Sequence, residues 1–233
     1  MLLHDHFRPP LSLRRHWHSF HSAWCTYLAS HLNEQLPEGY FAEPNVQFGI
    51  EIDVAAFEEG VSPSLAAGGW VAPAPMQSVA ITLITDLAEV LIYGREGGPI
   101  LAGAIELVSP ANKDRDAHRD AFVSKCAAYV QQGVGLAMVD VVTDRRANLH
   151  EELLARLQAE QELPLDADLY ATAYRPIEHD RNPSLDIWQH ALAVGKPLPV
   201  LPLWLRGNLC LRVDLAATYD RTCREQRIPA EGA

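Results

Sequence analysis

The 233-residue sequence lacks any uninterrupted apolar run long enough to cross a bilayer, which as a helix takes roughly 18 or more such residues. No membrane span and no membrane partner are expected. The opening, Met1 to Pro10, has no basic region followed by an apolar run, so nothing there reads as a secretory signal and the expected location is the cytoplasm. Cysteine is sparse: Cys25, Cys126, Cys210 and Cys223 are too scattered for paired zinc or redox spacing, which points to reduced, mostly buried thiols. Positive charge is short as well, 19 Lys and Arg against 30 Asp and Glu, for a formal net charge of −11. A nucleic-acid polyanion is repelled at long range by such a chain unless its basic residues gather on one face. An extensive, constitutive DNA-binding surface is therefore disfavoured. A small carboxylate-centred metal site acting on a phosphodiester is not, because the ion reverses the local charge.

What is present is ordinary for a globular α/β chain, with 48% hydrophobic and 21% charged residues. The length suits one domain with peripheral elaboration. Leu13, Trp17, Phe20, Trp24, Tyr27, Leu28, Leu32 and Leu36 recur at helical spacing, predicting an amphipathic helix over 11–36 that Pro37 and Gly39 end. Alternation in Val46, Phe48, Ile50, Ile52 and Val54 predicts a hairpin or two strands over 40–57. The Gly, Ala, Ser and Pro-rich stretch 58–77, with Trp70 inside it, reads as a surface loop. Strands are expected at 78–83, 88–93 and 100–108, with a turn at 94–98 between the last two. A helix is expected over 116–132, capped by Gly133, and an apolar strand over 136–142. Ile105 to Val142 is thus a strand, helix, strand unit, whose right-handed crossover implies parallel pairing. Further on, 148–161 reads as helix, 169–174 as strand, 186–193 as ambiguous, 197–202 as extended and 215–226 as a closing helix.

Carboxylates inside apolar strands deserve suspicion, since an unpartnered one there is costly. Asp53 in Ile52-Asp53-Val54-Ala55 and Glu106 in Ile105-Glu106-Leu107-Val108 qualify best, and Glu51 shares a strand face with Asp53. If the two strands are neighbours, one divalent ion can bridge both acids.

The run Ile105-Glu106-Leu107-Val108-Ser109-Pro110-Ala111-Asn112-Lys113, followed by Arg119, Lys125 and Gly133-Val134, resembles the bacterial family called domain of unknown function forty fifty-eight. Trp17, Phe20 and His21, Asp53-Val54-Ala55, and the ending from Leu198-Pro199 through Asp214-Leu215 to Tyr219-Asp220 extend the resemblance over most of the chain. The family's Pro-Gly-Met-Asp-Pro opening is missing here, and 58–77 does not align. The centre of that family is similar to the Uma-two family, regarded as having the PD-(D/E)XK nuclease fold. The resemblance implies a single α/β domain with a restriction-endonuclease-like core: a mixed central sheet flanked by helices over about 11–145, and a C-terminal elaboration over about 146–233 packed on it. It implies Asp53 and Glu106 as metal ligands for Mg²⁺ or Mn²⁺. The lysine usual two residues after the second acid is Val108 here, and Lys125 is the residue whose spacing to Tyr129 and Gly133-Val134 matches a helix lysine of the Uma-two pattern. Hard oxygen ligands from the two acids and a backbone carbonyl such as that of Leu107 suit such an ion, while a lysine ammonium orients a nucleophile or steadies charge on phosphate. Glu51, His21, Asn112 and Lys113 are accessory candidates.

Each feature has a plainer reading beside it. Glu106 and Lys125 can be a buried ion pair in an inactive core. Ser109, Pro110 and Asn112 suit a strand-to-helix turn. The histidine-rich start, with His18 and His21 three apart, lacks a Cys pair for a zinc site. Lys113, Arg115, Arg119 and Lys125 are interspersed with Asp114, Asp116 and Asp120, as on a salt-bridged solvated helix face. The alternative to an enzyme is a binding or assembly module, a homo-oligomer or a partner of another protein, that uses 58–77 or 198–203 as contact surface with Trp70 and Trp204 as anchors.

Overall fold

In the computed structural model, residues 1–48, 50–58, 70–81, 100–159, 163–206 and 208–229 are described, with backbone alone at 46–48, 50 and 51. The helical periodicity near the start yields α1 over Trp17–Asn33, preceded by a 3-10 turn at Leu11–Leu13. The helix does not reach back to Leu11 because the polar run Arg14, Arg15, His16 offers no apolar face, and His16 is extended at φ −87, ψ 126. The alternating segment becomes the antiparallel strands β1, Tyr40–Phe48, and β2, Ile50–Glu58. Then follow β3, Gln77–Ala80, and β4, Ile100–Leu107. The expected strand at 88–93 and the turn at 94–98 lie outside the described residues, as do 59–69 of the expected loop.

After β4 come α2, Pro110–Asp114, α3, Asp116–Gln131, and β5, Gly135–Asp140. Gly133 takes φ 75 between α3 and β5, a left-handed conformation that suits a residue without Cβ. The second half supplies α4, Leu149–Arg156, β6, Tyr170–His179, β7, Asn182–Ala191, β8, Val200–Trp204, β9, Cys210–Asp214, and α5, Leu215–Glu225. The stretch 186–193, ambiguous in sequence, falls largely within β7.

Seven strands form one mixed sheet in the order β1-β2-β4-β5-β6-β7-β3. Only β4 and β5 pair in parallel, as the crossover through α3 requires, and the other described neighbours are antiparallel. All six residues of β5 are buried, the near-continuous apolar strand expected of a sheet covered on both faces. On one face the core joins α1 and α5 to β8 and β9; on the other it joins α3 and α4. Residues beyond 146 are hydrogen-bonded into the sheet as β6 and β7, while β8 and β9 form a separate two-stranded sheet.

That small sheet is pressed close to the large one. A Cβ on Gly135 would lie 1.8 Å from the Trp204 carbonyl oxygen, and the Arg206 N–H donates to the Ala102 carbonyl at 2.9 Å. Leu198, Leu201 and Leu203 are buried in the core on the α1 and α5 side. Within 198–203 only Pro199 and Val200 are half-buried and the other residues are buried, so most of this expected contact surface faces the core. Trp204 is half-buried beneath the Arg175 guanidinium, 3.7 Å from its ring. No helix among the described residues is long and apolar enough to cross a membrane.

Candidate active site

The site grows from the place where the β2–β4 ladder ends. Val54 pairs with Ile105 at the end of the ladder, and Asp53 and Glu106 are the next residues of the two strands. There the Leu107 N–H leaves the ladder and donates to Asp53 Oδ2 at 2.7 Å. The polar ring of His21, on the inner side of α1, has Nε2 3.1 Å from the Leu107 carbonyl oxygen and 3.3 Å from the same Asp53 oxygen. Behind it, His21 Nδ1 lies 3.8 Å from Cys25 Sγ, one helical turn on. Asp53 Oδ1 accepts no hydrogen bond among the described residues.

Glu106 points to the α3 side. Lys125 Nζ donates to its Oε2 at 2.7 Å and the Tyr129 hydroxyl to its Oε1 at 3.3 Å. Lys125 and Tyr129 are four apart and so share one helix face. Glu106 is 1% exposed, but the Lys125 side chain keeps 18% of its surface open. What it opens onto is a cleft of about 370 Å³, whose walls include Trp17, His18, His21, Asp53, Glu106, Leu107, Asn112 and Lys125. The Ser109–Asn112 wall is a fixed turn: Asn112 Oδ1 accepts from both the N–H and the hydroxyl of Ser109, each at 2.8 Å.

Electrostatics at this cleft are set by burial. Desolvation pushes the Glu106 carboxyl up to about 7, against the opposing pull of Lys125 and with a further push from Asp53. Lys125 is raised too: burial works against its charge, and the Glu106 carboxylate outweighs it. An ion pair alone would move the two in opposite directions; burial wins at the fully enclosed carboxylate and loses at the less enclosed ammonium. For His21, burial favours the neutral ring, but Asp53, then the Leu107 carbonyl and Glu106, together raise it above its ordinary 6.5.

Of the residues singled out in sequence, Asp53, Glu106, Lys125, His21 and Asn112 all line the one cleft. Lys113 does not. Its Nζ forms a fully buried pair with Asp140 Oδ2 at 2.8 Å, both side chains 0% exposed. The side chain of Glu51 lies outside the described residues. The salt-bridged solvated face expected for this cluster holds for Arg115 and Arg119 but not for the two lysines. Lys113 and Lys125 turn inward to carboxylates, and Arg115 and Arg119 pair with Asp114, Asp116 and Glu152. The histidines separate: His18 and His21 reach the cleft, whereas His6 is buried against the Tyr219 hydroxyl at 2.7 Å.

Two residues were missed. Asp140 carries the same signal as Asp53 and Glu106, a carboxylate in an apolar strand, and that rule could have flagged it. Cys25 stands four after His21, a spacing that puts both on one helix face, but a search for paired cysteines passes over it.

Comparison of the chain with family models, with curated proteins and with solved structures finds no match.

Proposed function

We propose that this cleft is a divalent-metal-dependent phosphodiesterase site of nuclease type, on a PD-(D/E)XK-like core, with Asp53 and Glu106 as ligands for Mg²⁺ or Mn²⁺ and Lys125 as their electrostatic partner. The observation that carries this reading is the convergence of all three on one cleft, although they come from β2, β4 and α3. The donor set fits: two carboxylates and the Leu107 carbonyl are hard oxygen donors of the kind Mg²⁺ takes at about 2.0–2.1 Å. A bound ion would supply Lewis acidity and offset charge on the phosphoryl oxygens. The chain's own groups do the rest. Lys125 holds a positive charge at the wall where a phosphate oxygen would sit, Asn112 holds the turn, and His21, raised above its ordinary value chiefly by Asp53, can hold a proton at Nε2 beside that carboxylate.

A second reading rests on one observation: both Glu106 oxygens already have donors, Lys125 and Tyr129. A nuclease-like core kept as a binding or assembly module would look the same. Calorimetric titration of Mn²⁺ into the purified chain separates the two. Binding that is lost in Asp53→Ala and in Glu106→Ala supports the enzyme, and no binding at millimolar Mn²⁺ ends it.

A further inference from the structure

The floor of the cleft has a chemistry that the oxygen-ligand reading leaves unused. One ligand atom each of His21, Cys25 and Asp53 lie within 4.8 Å of one another. His21 and Cys25 come from successive turns of α1, and Asp53 from the adjacent strand β2. Zinc-type ions sit about 2.0–2.3 Å from imidazole nitrogen, thiolate sulfur and carboxylate oxygen, so donors in contact or nearly so can share one ion with small side-chain rotations. The closest contacts use different edges of the imidazole, Nε2 at 3.3 Å from Asp53 and Nδ1 at 3.8 Å from Cys25, so a shared ion takes one ring nitrogen only, and the ring turns to bring that nitrogen between the other two donors.

We propose that His21, Cys25 and Asp53 bind a thiophilic divalent transition metal ion of zinc type at the floor of the cleft. A nitrogen, sulfur and oxygen set selects such an ion over Mg²⁺, for which a thiolate is a poor ligand. The arrangement is graded by depth: Cys25 is fully buried, while the side chains of His21 and Asp53 each keep 13% exposure and line the cleft. Three protein ligands with one side toward solvent is the pattern of sites that keep a position for water or substrate, in contrast to closed four-ligand structural sites. Binding forms the metal–sulfur bond as the thiol proton leaves to bulk water, so affinity rises with pH. This site shares Asp53 with the phosphodiesterase reading but needs neither Glu106 nor Lys125, and the two can fail separately.

The test is titration of Co²⁺, a spectroscopic substitute for Zn²⁺, into the full chain after chelator treatment, followed by near-ultraviolet absorption. One Co²⁺ per chain with a thiolate-to-metal charge-transfer band, displaced by Zn²⁺, is the expected result. The band disappears in Cys25→Ser and persists in Glu106→Gln. Because Cys25 is buried and its replacement can unfold the chain, Asp53→Asn at the partly open end is the second variant; it keeps the band and weakens Co²⁺ by at least about tenfold. Absence of the band in the native chain overturns the proposal, as does its persistence in Cys25→Ser, which would assign it to another of the four cysteines. Mn²⁺ binding with no thiolate band would leave the oxygen-ligand reading standing alone.

Discussion

Two lysine–carboxylate pairs sit within the same strand, helix, strand unit, and they differ in what lies beyond them. Lys113 and Asp140 meet at 2.8 Å with both side chains fully enclosed, tying the short α2 to the end of β5. Lys125 and Glu106 meet at 2.7 Å, but the lysine opens onto the cleft. In both, burial raises the carboxyl despite the lysine, Asp140 to about 6 and Glu106 to about 7. The same chemistry therefore serves two ends. A pair closed on every side can only hold structure. A pair open on one side can exchange its cation's partner for a ligand.

The comparison breaks or holds on the neutral replacements. Lys113→Met leaves Asp140 buried without its cation, and unfolding in urea should show a loss of about 3–5 kcal/mol. The loss is greater at pH 7 than at pH 5, where Asp140 takes up a proton and no longer needs the lysine. Lys125→Met should cost less, about 1–3 kcal/mol, because Tyr129 still donates to Glu106 and the space opened adjoins solvent. Equal losses would mark the cleft pair as structural and remove the main support for Lys125 as a functional group.

Next in size is a pH effect. A carboxyl raised in the folded state binds a proton that the unfolded chain has already released. Glu106 therefore makes stability fall as pH rises from its ordinary 4.5 to about 7, by at most about 1.4 kcal/mol per pH unit. Glu106→Gln should flatten that part of the profile, most visibly between pH 6 and 7, above the range of Asp140. His21, also raised, contributes a fall of the same sign as pH passes its ordinary value and beyond, and it remains in the variant. An unchanged difference between variant and native chain across this window would mean that Glu106 is ionised throughout.

The sequence disclosed these features unevenly. The parallel β4 and β5 followed from two apolar strands around a helix, and Asp53 and Glu106 followed from the cost of a carboxylate in an apolar strand. That both acids share a cleft could not follow from sequence, because it depends on β2 pairing beside β4 in a register that stops at Val54 and Ile105. Lys113 was misplaced for a related reason. In sequence it belongs to an exposed-looking run of charges, and only the fold brings Asp140, 27 residues on, against it. Similarly, Pro199 and Pro202 suggested an exposed extended stretch, whereas its leucines pack into the core on the α1 and α5 side.

The smallest effect concerns the turn that joins the two pairs. Asn112 stands between Glu106 and Lys113, and its Oδ1 gathers the N–H and the hydroxyl of Ser109. Asn112→Ala removes both acceptor contacts but leaves Ser109 near solvent in the cleft wall, where water replaces part of what is lost. The expected cost is about 1 kcal/mol in chemical denaturation, with the Lys113–Asp140 tie unaffected. If the turn sets the position of Leu107, metal affinity should respond at both candidate centres: for Mn²⁺ through the Leu107 carbonyl as a ligand, and for Co²⁺ through the contacts of Leu107 with His21 and Asp53. A stability loss as large as that of Lys113→Met would show instead that the turn and the closed pair form one cooperative structural unit, with the cleft wall merely its outer surface.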